Sequence, residues 1–345
     1  MSSSTREMLR NTLKFLLLFK KKSLLPLPLY LLLKESVLCG KDNEVLSIFA
    51  NYDLNLLSEP KNLKSLQQLF DILYCHAIGM ARKQLDGLFN EENLMVGHQI
   101  SNQSAISNSK KIEDSDNRGL VYGEVEFESF QSVIEIALTG LPNKNGKFTD
   151  LGHGTGKACL WVALTTSFQD IVGIEILDGL YEKSENVLKQ FFINNNINIA
   201  EKIDATTKTT KAIEPFPMQY TNGNKIQFIH GSFLEDEYDW SDSDVVFANS
   251  TCFPDELMMK LSVRSQLMAP GSRFITFTVS LDSPYWKVIY KERYKMSWGF
   301  ATVYIHERLT DVEAIRIMRD DGVGAGEGSN DMVNRVENND SIWLS

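Results

Sequence analysis

The chain has 345 residues, 43% of them hydrophobic, enough for one large core and a smaller companion. Its 45 acidic side chains outnumber 35 basic ones, and the net charge of -10 excludes a protein whose whole surface is a footprint for nucleic acid. Four scattered cysteines form no Cys-x-x-Cys pair and five histidines show no paired spacing, so reduced thiols and no bound metal are expected.

The first segment, 1–40, holds apolar runs at 15–19 and 24–33, split by Lys20-Lys21-Lys22 and broken by Pro26 and Pro28. Neither run reaches the ~20 residues of a membrane span, so no stable membrane insertion is expected. Charge inside the stretch and no small-residue cleavage site fit a secretory leader poorly. A packed helix pair is the plainer reading, with a targeting or membrane-surface segment as the other. Over 41–100, Leu66, Leu69, Phe70, Leu73, Ala77 and Met80 recur at helical spacing and predict a small helical domain. Residues 101–118, rich in Ser, Asn, Lys and Asp, predict a flexible linker.

Residues 119–310 alternate between the two periodicities. A helix is predicted over 127–138, then a strand ending at Asp150, a helix over 156–166, a strand over 171–176 and a helix over 180–192. The Asn-, Thr- and Lys-rich stretch 194–224 reads as an insertion on the rim. Strands follow over 225–233, 244–249 and 273–279, with a helix over 255–268 and a Pro270-Gly271 stop. The runs 294–298 and 301–308 are joined so tightly that they must pair antiparallel. This is an α/β, Rossmann-like class I methyltransferase plan, a seven-stranded sheet with an antiparallel terminal hairpin, plus the small N-terminal helical domain. Residues 311–345 are expected to be a disordered acidic tail.

The segment Asp150-Leu151-Gly152-His153-Gly154-Thr155-Gly156-Lys157 runs from a strand through a glycine-rich turn into a helix, where free N–H groups favour a carboxylate or phosphate. Its spacing is G-x-G-x-G, which differs from the G-x-G-x-x-G of nicotinamide binders. The next strand ends in Glu175, about twenty residues on, where a carboxylate can accept both ribose hydroxyls. Asp150 would face the methionyl end of S-adenosyl-L-methionine. Ser232 and Phe233, closing the third strand, would meet the adenine. The fourth strand ends at Asn249, a position that faces substrate in open α/β sheets.

These residues resemble the histone-lysine methyltransferases of the disruptor-of-telomeric-silencing type, specific for lysine 79 of histone H3 and lacking a SET domain. The resemblance spans roughly 119–310. It rests on Val121-Tyr122-Gly123-Glu124, on Asp150-Leu151-Gly152 with Gly154 and Gly156, on Glu175 and on Gly231-Ser232-Phe233-Leu234. Val246-Phe247-Ala248-Asn249, Ala269-Pro270-Gly271-Ser272-Arg273, Ser297-Trp298 and Tyr304-Ile305-His306 complete it. It implies a protein-lysine methyltransferase in the nucleus, with a nucleosome as partner. Tyr122 and Glu124 would close over the cofactor, which Asp150, Gly152, Gly154, Gly156, Lys157, Glu175, Ser232 and Phe233 hold. Asn249 would sit at a lysine channel walled by Trp298 and Tyr304, with Phe253 a further candidate. The family's threonine after Tyr-Gly-Glu is Val125 here, its glutamine is Lys157, its adenine-side acid is Ser232, and its paired tyrosines are Val303-Tyr304.

Other readings fit the residues alone: methylation of another protein, a nucleic-acid base or a small molecule, in the cytoplasm as well as the nucleus, or a non-catalytic scaffold. The fourth strand ends Asn249-Ser250-Thr251-Cys252 without the Pro-Pro-aromatic run of base-amine enzymes, and both Asp150 and Glu175 are retained, which a scaffold does not require. A basic patch at Lys287, Lys291, Arg293 and Lys295 is the expected source of any affinity for nucleosomal DNA.

Overall fold

The computed structural model describes residues 12–13, 16–17, 25–39, 63–89, 99, 123, 125–194, 218–219, 224–296 and 299–320. The expected linker over 101–118, most of the insertion and the segment after 320 lie outside them.

Short apolar runs make the parallel strands: β1 (Lys147–Leu151), β2 (Asp170–Glu175), β4 (Lys225–His230), β5 (Val245–Ala248) and β6 (Arg273–Phe277). Strands β3 (Met218–Gln219), β7 (Trp286–Met296) and β8 (Gly299–Arg308) complete one sheet in the order β3-β4-β2-β1-β5-β6-β8-β7. Seven of these strands match the expected plan, and β8 runs antiparallel to both β6 and β7. The eighth, β3, is a two-residue edge strand antiparallel to β4, inside the stretch expected as an insertion. Because β1 pairs with β2 on one side and β5 on the other, the connections reverse direction there, and the crevice lies at the carboxyl ends of these strands.

The helices are α1 (Leu27–Cys39), α2 (Leu63–Asp86), α3 (Phe127–Leu138), α4 (Lys157–Thr165), α5 (Asp178–Asn194), α6 (Asp255–Ser265) and α7 (Asp311–Asp320). Pro28 falls in the first turn of α1, where a missing N–H costs nothing. In α2, Leu69, Leu73, Ala77, Ala81 and Leu85 repeat every fourth residue and are buried. Among the described residues, the buried side chains of α1 and α2 join Phe130, Phe148, Trp161, Phe247, Ile275, Val303 and Ile305 in one cluster on one sheet face. The opposite face carries Leu151, Ile174, Val246, Ala248 and Phe274 beneath Met258 and Leu261 of α6 and Trp286 of β7. A hydrogen-bonded chain also ties α2 to α3 and α4, with Tyr74 Oη donating to Glu135 at 2.5 Å, Gln131 to Tyr74 at 2.8 Å and Trp161 to Gln131 at 2.8 Å.

Two elements differ from the sequence expectation. β7 begins at Trp286, eight residues before the predicted run, because the charges of this exposed edge hide its alternation. The tail is not disordered from 311: α7 covers Asp311–Asp320, opened by a capping box in which Thr310 N–H donates to Glu313 at 2.9 Å and Glu313 N–H to Thr310 Oγ1 at 3.3 Å. Among the described residues, no helix is long and apolar enough to cross a membrane.

Candidate active site

The glycine turn leaves β1 with a left-handed backbone: Gly152, Gly154 and Gly156 have φ of 81°, 58° and 87°. At Gly156 a Cβ would lie 2.4 Å from the Phe228 ring, so both conformation and space demand glycine. At Gly152 the nearest atom to a would-be Cβ is Phe253 Cζ, 4.0 Å away, which leaves the backbone open to a ligand. The turn is anchored to β2 by Gly152 N–H donating to Ile174 O at 2.8 Å.

Glu175 splints the same turn. Its buried carboxylate accepts Gly154 N–H at 2.9 Å and Leu177 N–H at 2.8 Å. Burial raises its pKa, while these amides favour the ionised form. Asp150 is buried as well, with Oδ1 unpartnered among the described residues and the Cys159 thiol 3.7 Å from Oδ2. Burial, reinforced by the Glu175 charge, pushes Asp150 up to about 8. Of the two acids, Asp150 is the one that keeps its proton at neutral pH.

His153 stacks on Phe228 with centroids 4.4 Å apart and fills the space over Gly173, where a Cβ would come within 2.6 Å of its ring. Burial lowers its pKa to about 3. Phe233 stacks on Phe253 at 5.9 Å, so this aromatic pair bridges the ends of β4 and β5 beside Gly152. Ser232 Oγ accepts Leu234 N–H at 3.3 Å and shapes the turn before it. Lys157, the first residue of α4, sets its ammonium 4.5 Å from the Phe127 ring centroid.

On the α3 side of β5, Asn249 Nδ2 donates to Gly123 O at 2.9 Å, which fixes the segment before α3 against the strand end. Asn249 Oδ1 in turn accepts from Thr251 Oγ1 at 3.3 Å, and Thr278 Oγ1 donates to Thr251 Oγ1 at 3.3 Å. Thr278 has φ of 68°, a strained conformation for a β-branched residue, and its N–H is held by Thr302 O at 2.7 Å. Sequence reasoning missed Thr251 and Thr278; their only signal was proximity to the ends of β5 and β6. The amide of Asn249 is thus oriented from both sides, with one N–H and one carbonyl lone pair left to use.

Not every expected residue comes to this place. Tyr122, Glu124 and Trp298 lie outside the described residues. Phe253 lies beside Gly152, its Cζ 4.0 Å from the position of a would-be Cβ. Tyr304 lies on the opposite sheet face from Asn249: it stacks on His306, which meets Trp286, whereas Val303 and Ile305 pack with Phe247 and Phe277 on the Asn249 side. The hairpin aromatics on the Asn249 face are Tyr290 and Tyr294, whose hydroxyls pair at 2.8 Å. Ser129 of α3 donates to Lys295 O at 2.8 Å and brings that strand alongside. The departures from the family pattern at Val125 and Val303 are buried core side chains. Among the described residues, no group of three or more His, Cys, Asp or Glu could hold a metal ion.

The family model of histone methylation protein DOT1 matches residues 103–293, over half of the chain. No curated protein matches in sequence. Among solved structures, an RNA methyltransferase from Salinibacter ruber in complex with S-adenosyl-L-homocysteine is 17% identical over 53% of this chain and 92% of that chain, with a TM-score of 0.37. TrmN from Thermus thermophilus is 14% identical over 52% of this chain and 48% of its own, also at 0.37. The B. subtilis tRNA methyltransferase TrmK is 13% identical over 52% of this chain and 65% of its own, at 0.35. The assignment rests on the family match, which covers the glycine turn, Glu175 and Asn249 alike: the chain belongs to the DOT1 family of histone methylation proteins and is an S-adenosylmethionine-dependent methyltransferase.

Proposed function

We propose that the acceptor is a lysine of histone H3 presented on a nucleosome, and that the enzyme acts in the nucleus. The observation that carries this reading is the Asn249–Gly123 hydrogen bond, which joins two segments 126 residues apart at the mouth of the crevice, inside the matched family region. The residues present fit the cofactor. Gly152 leaves its backbone open, Asp150 keeps an unpartnered oxygen, and Glu175 keeps a lone pair on each oxygen for a ribose hydroxyl. The first-turn amides of α4 suit the methionyl carboxylate, and Phe233 suits the adenine.

When bound, S-adenosylmethionine supplies a methyl group on a sulfonium leaving group that needs no metal activation. The chain's task is positioning and deprotonation. A lysine of ordinary pKa near ~10.4 is almost wholly protonated at neutral pH, so the site must favour the neutral amine, whose lone pair forms the new bond. The half-buried mouth disfavours the ammonium by desolvation. Asn249 Oδ1 orients the amine by accepting one N–H, leaving its lone pair free for in-line attack. The proton leaves for solvent.

Mass spectrometry of recombinant nucleosomes incubated with enzyme and cofactor tests the reading. Methylation on the H3 core that is lost in Asn249→Ala, with cofactor binding retained, supports it; methylation confined to RNA or small molecules overturns it.

A further inference from the structure

The β7–β8 hairpin sorts its charges by face. Lys291, Arg293 and Lys295 alternate along β7 opposite Tyr304, Thr302 and Phe300 of β8, so all six point to one side. The three cations are exposed. Lys291 stands 5.3 Å from the Tyr304 ring centroid and Arg293 5.2 Å from that of Phe300. Among the described residues, no carboxylate of either strand shares this face. Glu292 lies on the other side and acts on Tyr294, while Glu307 pairs with Arg273 at 2.7 Å. His306 is buried and held neutral, its pKa lowered to about 4. Lys287, expected in the same patch, belongs to the opposite face: it pairs in register with Glu307, and the irregularity between Val288 and Tyr290 resets the alternation before Lys291.

In a chain of net charge -10, three unopposed cations on one two-stranded ribbon are a local inversion of the global field. We infer that this ribbon face, Lys291, Arg293 and Lys295 with Phe300 and Tyr304, is a docking surface for the phosphate backbone of duplex DNA. At ~3.4 Å per residue the three cations span about 14 Å, the rise of roughly four nucleotides along one strand of B-DNA. Pairing with β6 ends at Val303, and beyond it the hairpin tip, Arg293–Met296 against Gly299–Thr302, continues as a two-stranded ribbon. Such a ribbon fits the major groove of B-DNA, whereas the deep, narrow major groove of A-form RNA excludes it. The rings hold the cations by cation–π contact, and Phe300, 63% exposed near the hairpin tip, offers an apolar edge toward the groove. The preference for DNA over other polyanions rests on the nucleosome reading above; the charge sorting does not.

The test is anisotropy of a labelled duplex of about 30 base pairs with the full chain, titrated across roughly 50 to 200 mM salt. Three neutralised phosphates contribute about 2.7 to the slope of log K against log salt, so Lys291→Gln/Arg293→Gln/Lys295→Gln should flatten that slope by roughly 2 to 3. S-adenosylhomocysteine binding monitors the fold. The charge-preserving Lys291→Arg/Arg293→Lys/Lys295→Arg chain should keep the slope within about one unit of the parent. An unchanged slope in the Gln variant overturns the inference. So does loss of binding to isolated core histones or to single-stranded RNA while duplex affinity stays intact. Because the assay uses free DNA and no methyl transfer, a wrong acceptor assignment leaves its outcome readable.

Discussion

Glu175 and Gly154 are joined by a 2.9 Å hydrogen bond in which the strand-end carboxylate accepts the amide at the middle of the glycine turn. One side chain therefore shapes the turn, and in the proposed cofactor site its remaining lone pairs would accept a ribose hydroxyl. Glu175→Ala should weaken S-adenosylmethionine binding by about 1 to 3 kcal/mol, the range of a charged hydrogen bond, and lower thermal stability because Gly154 and Leu177 lose their acceptor. Glu175→Gln, which keeps one oxygen, should fall between. Calorimetry that finds the Ala variant unchanged removes Glu175 from the cofactor site.

The alternation of apolar runs made the parallel sheet legible, and the helix over 127–138 coincides with α3, because buried strands and amphipathic helices advertise their period. Edge strand β7 was only partly legible, since Lys287 to Lys295 are nearly all exposed and no buried face marks the strand. The glycine turn and Glu175 could be found because close backbone approach restricts residue type. The side of the sheet on which Tyr304 lies could not, since it depends on register across β6, β8 and β7, set by long-range pairing. The Thr310–Glu313 capping box was present in the sequence, hidden by the acidic composition that follows it.

Asp150 gives the site a pH dependence of known sign. Its folded pKa of about 8 lies above its ordinary 3.8, so the folded state holds the extra proton between those values. Its contribution to stability is present below 3.8 and is lost as pH rises through about 8. Asp150→Asn should therefore resist alkaline destabilisation better than the parent in urea titrations at pH 6 and 9. A cationic ligand group beside Asp150 reverses the preference, so cofactor binding at pH 7 should release a proton, seen as a buffer-dependent binding enthalpy. Equal enthalpies in buffers of different ionisation heat would show that no cation meets this carboxyl.

His306 acts in the opposite direction. Nδ1 lies 2.9 Å from Phe274 O and Nε2 lies 3.1 Å from Leu281 N, an arrangement that needs Nδ1–H donating and a bare Nε2 accepting. Protonation breaks the second bond. Burial lowers the pKa from 6.5 to about 4, so the stability contribution is complete above 6.5 and disappears as pH falls through about 4. His306→Phe should cost about 1 to 3 kcal/mol at pH 7 by leaving the Leu281 N–H without its acceptor, and should flatten the acid limb of the stability curve. An imidazole that titrates near its ordinary value by NMR contradicts this placement.

The opposite faces assigned to Asn249 and Tyr304 lead to opposite mutational outcomes. Asn249 is fixed by Gly123 and Thr251 at the crevice mouth, so Asn249→Ala should lower methyl transfer to nucleosomes at least about tenfold, roughly 1.4 kcal/mol in transition-state stabilisation. S-adenosylhomocysteine affinity should hardly change, since the glycine turn and Glu175 are untouched. Tyr304 meets His306 and Lys291 on the far face, so Tyr304→Phe keeps the ring and removes only the hydroxyl. Its transfer rate should stay within about twofold of the parent, below ~0.5 kcal/mol. Single-turnover rates at saturating cofactor separate the two effects from binding. A Tyr304→Phe chain as impaired as Asn249→Ala would mean that the hydroxyl reaches the acceptor, and the division of the site between the two faces would fail.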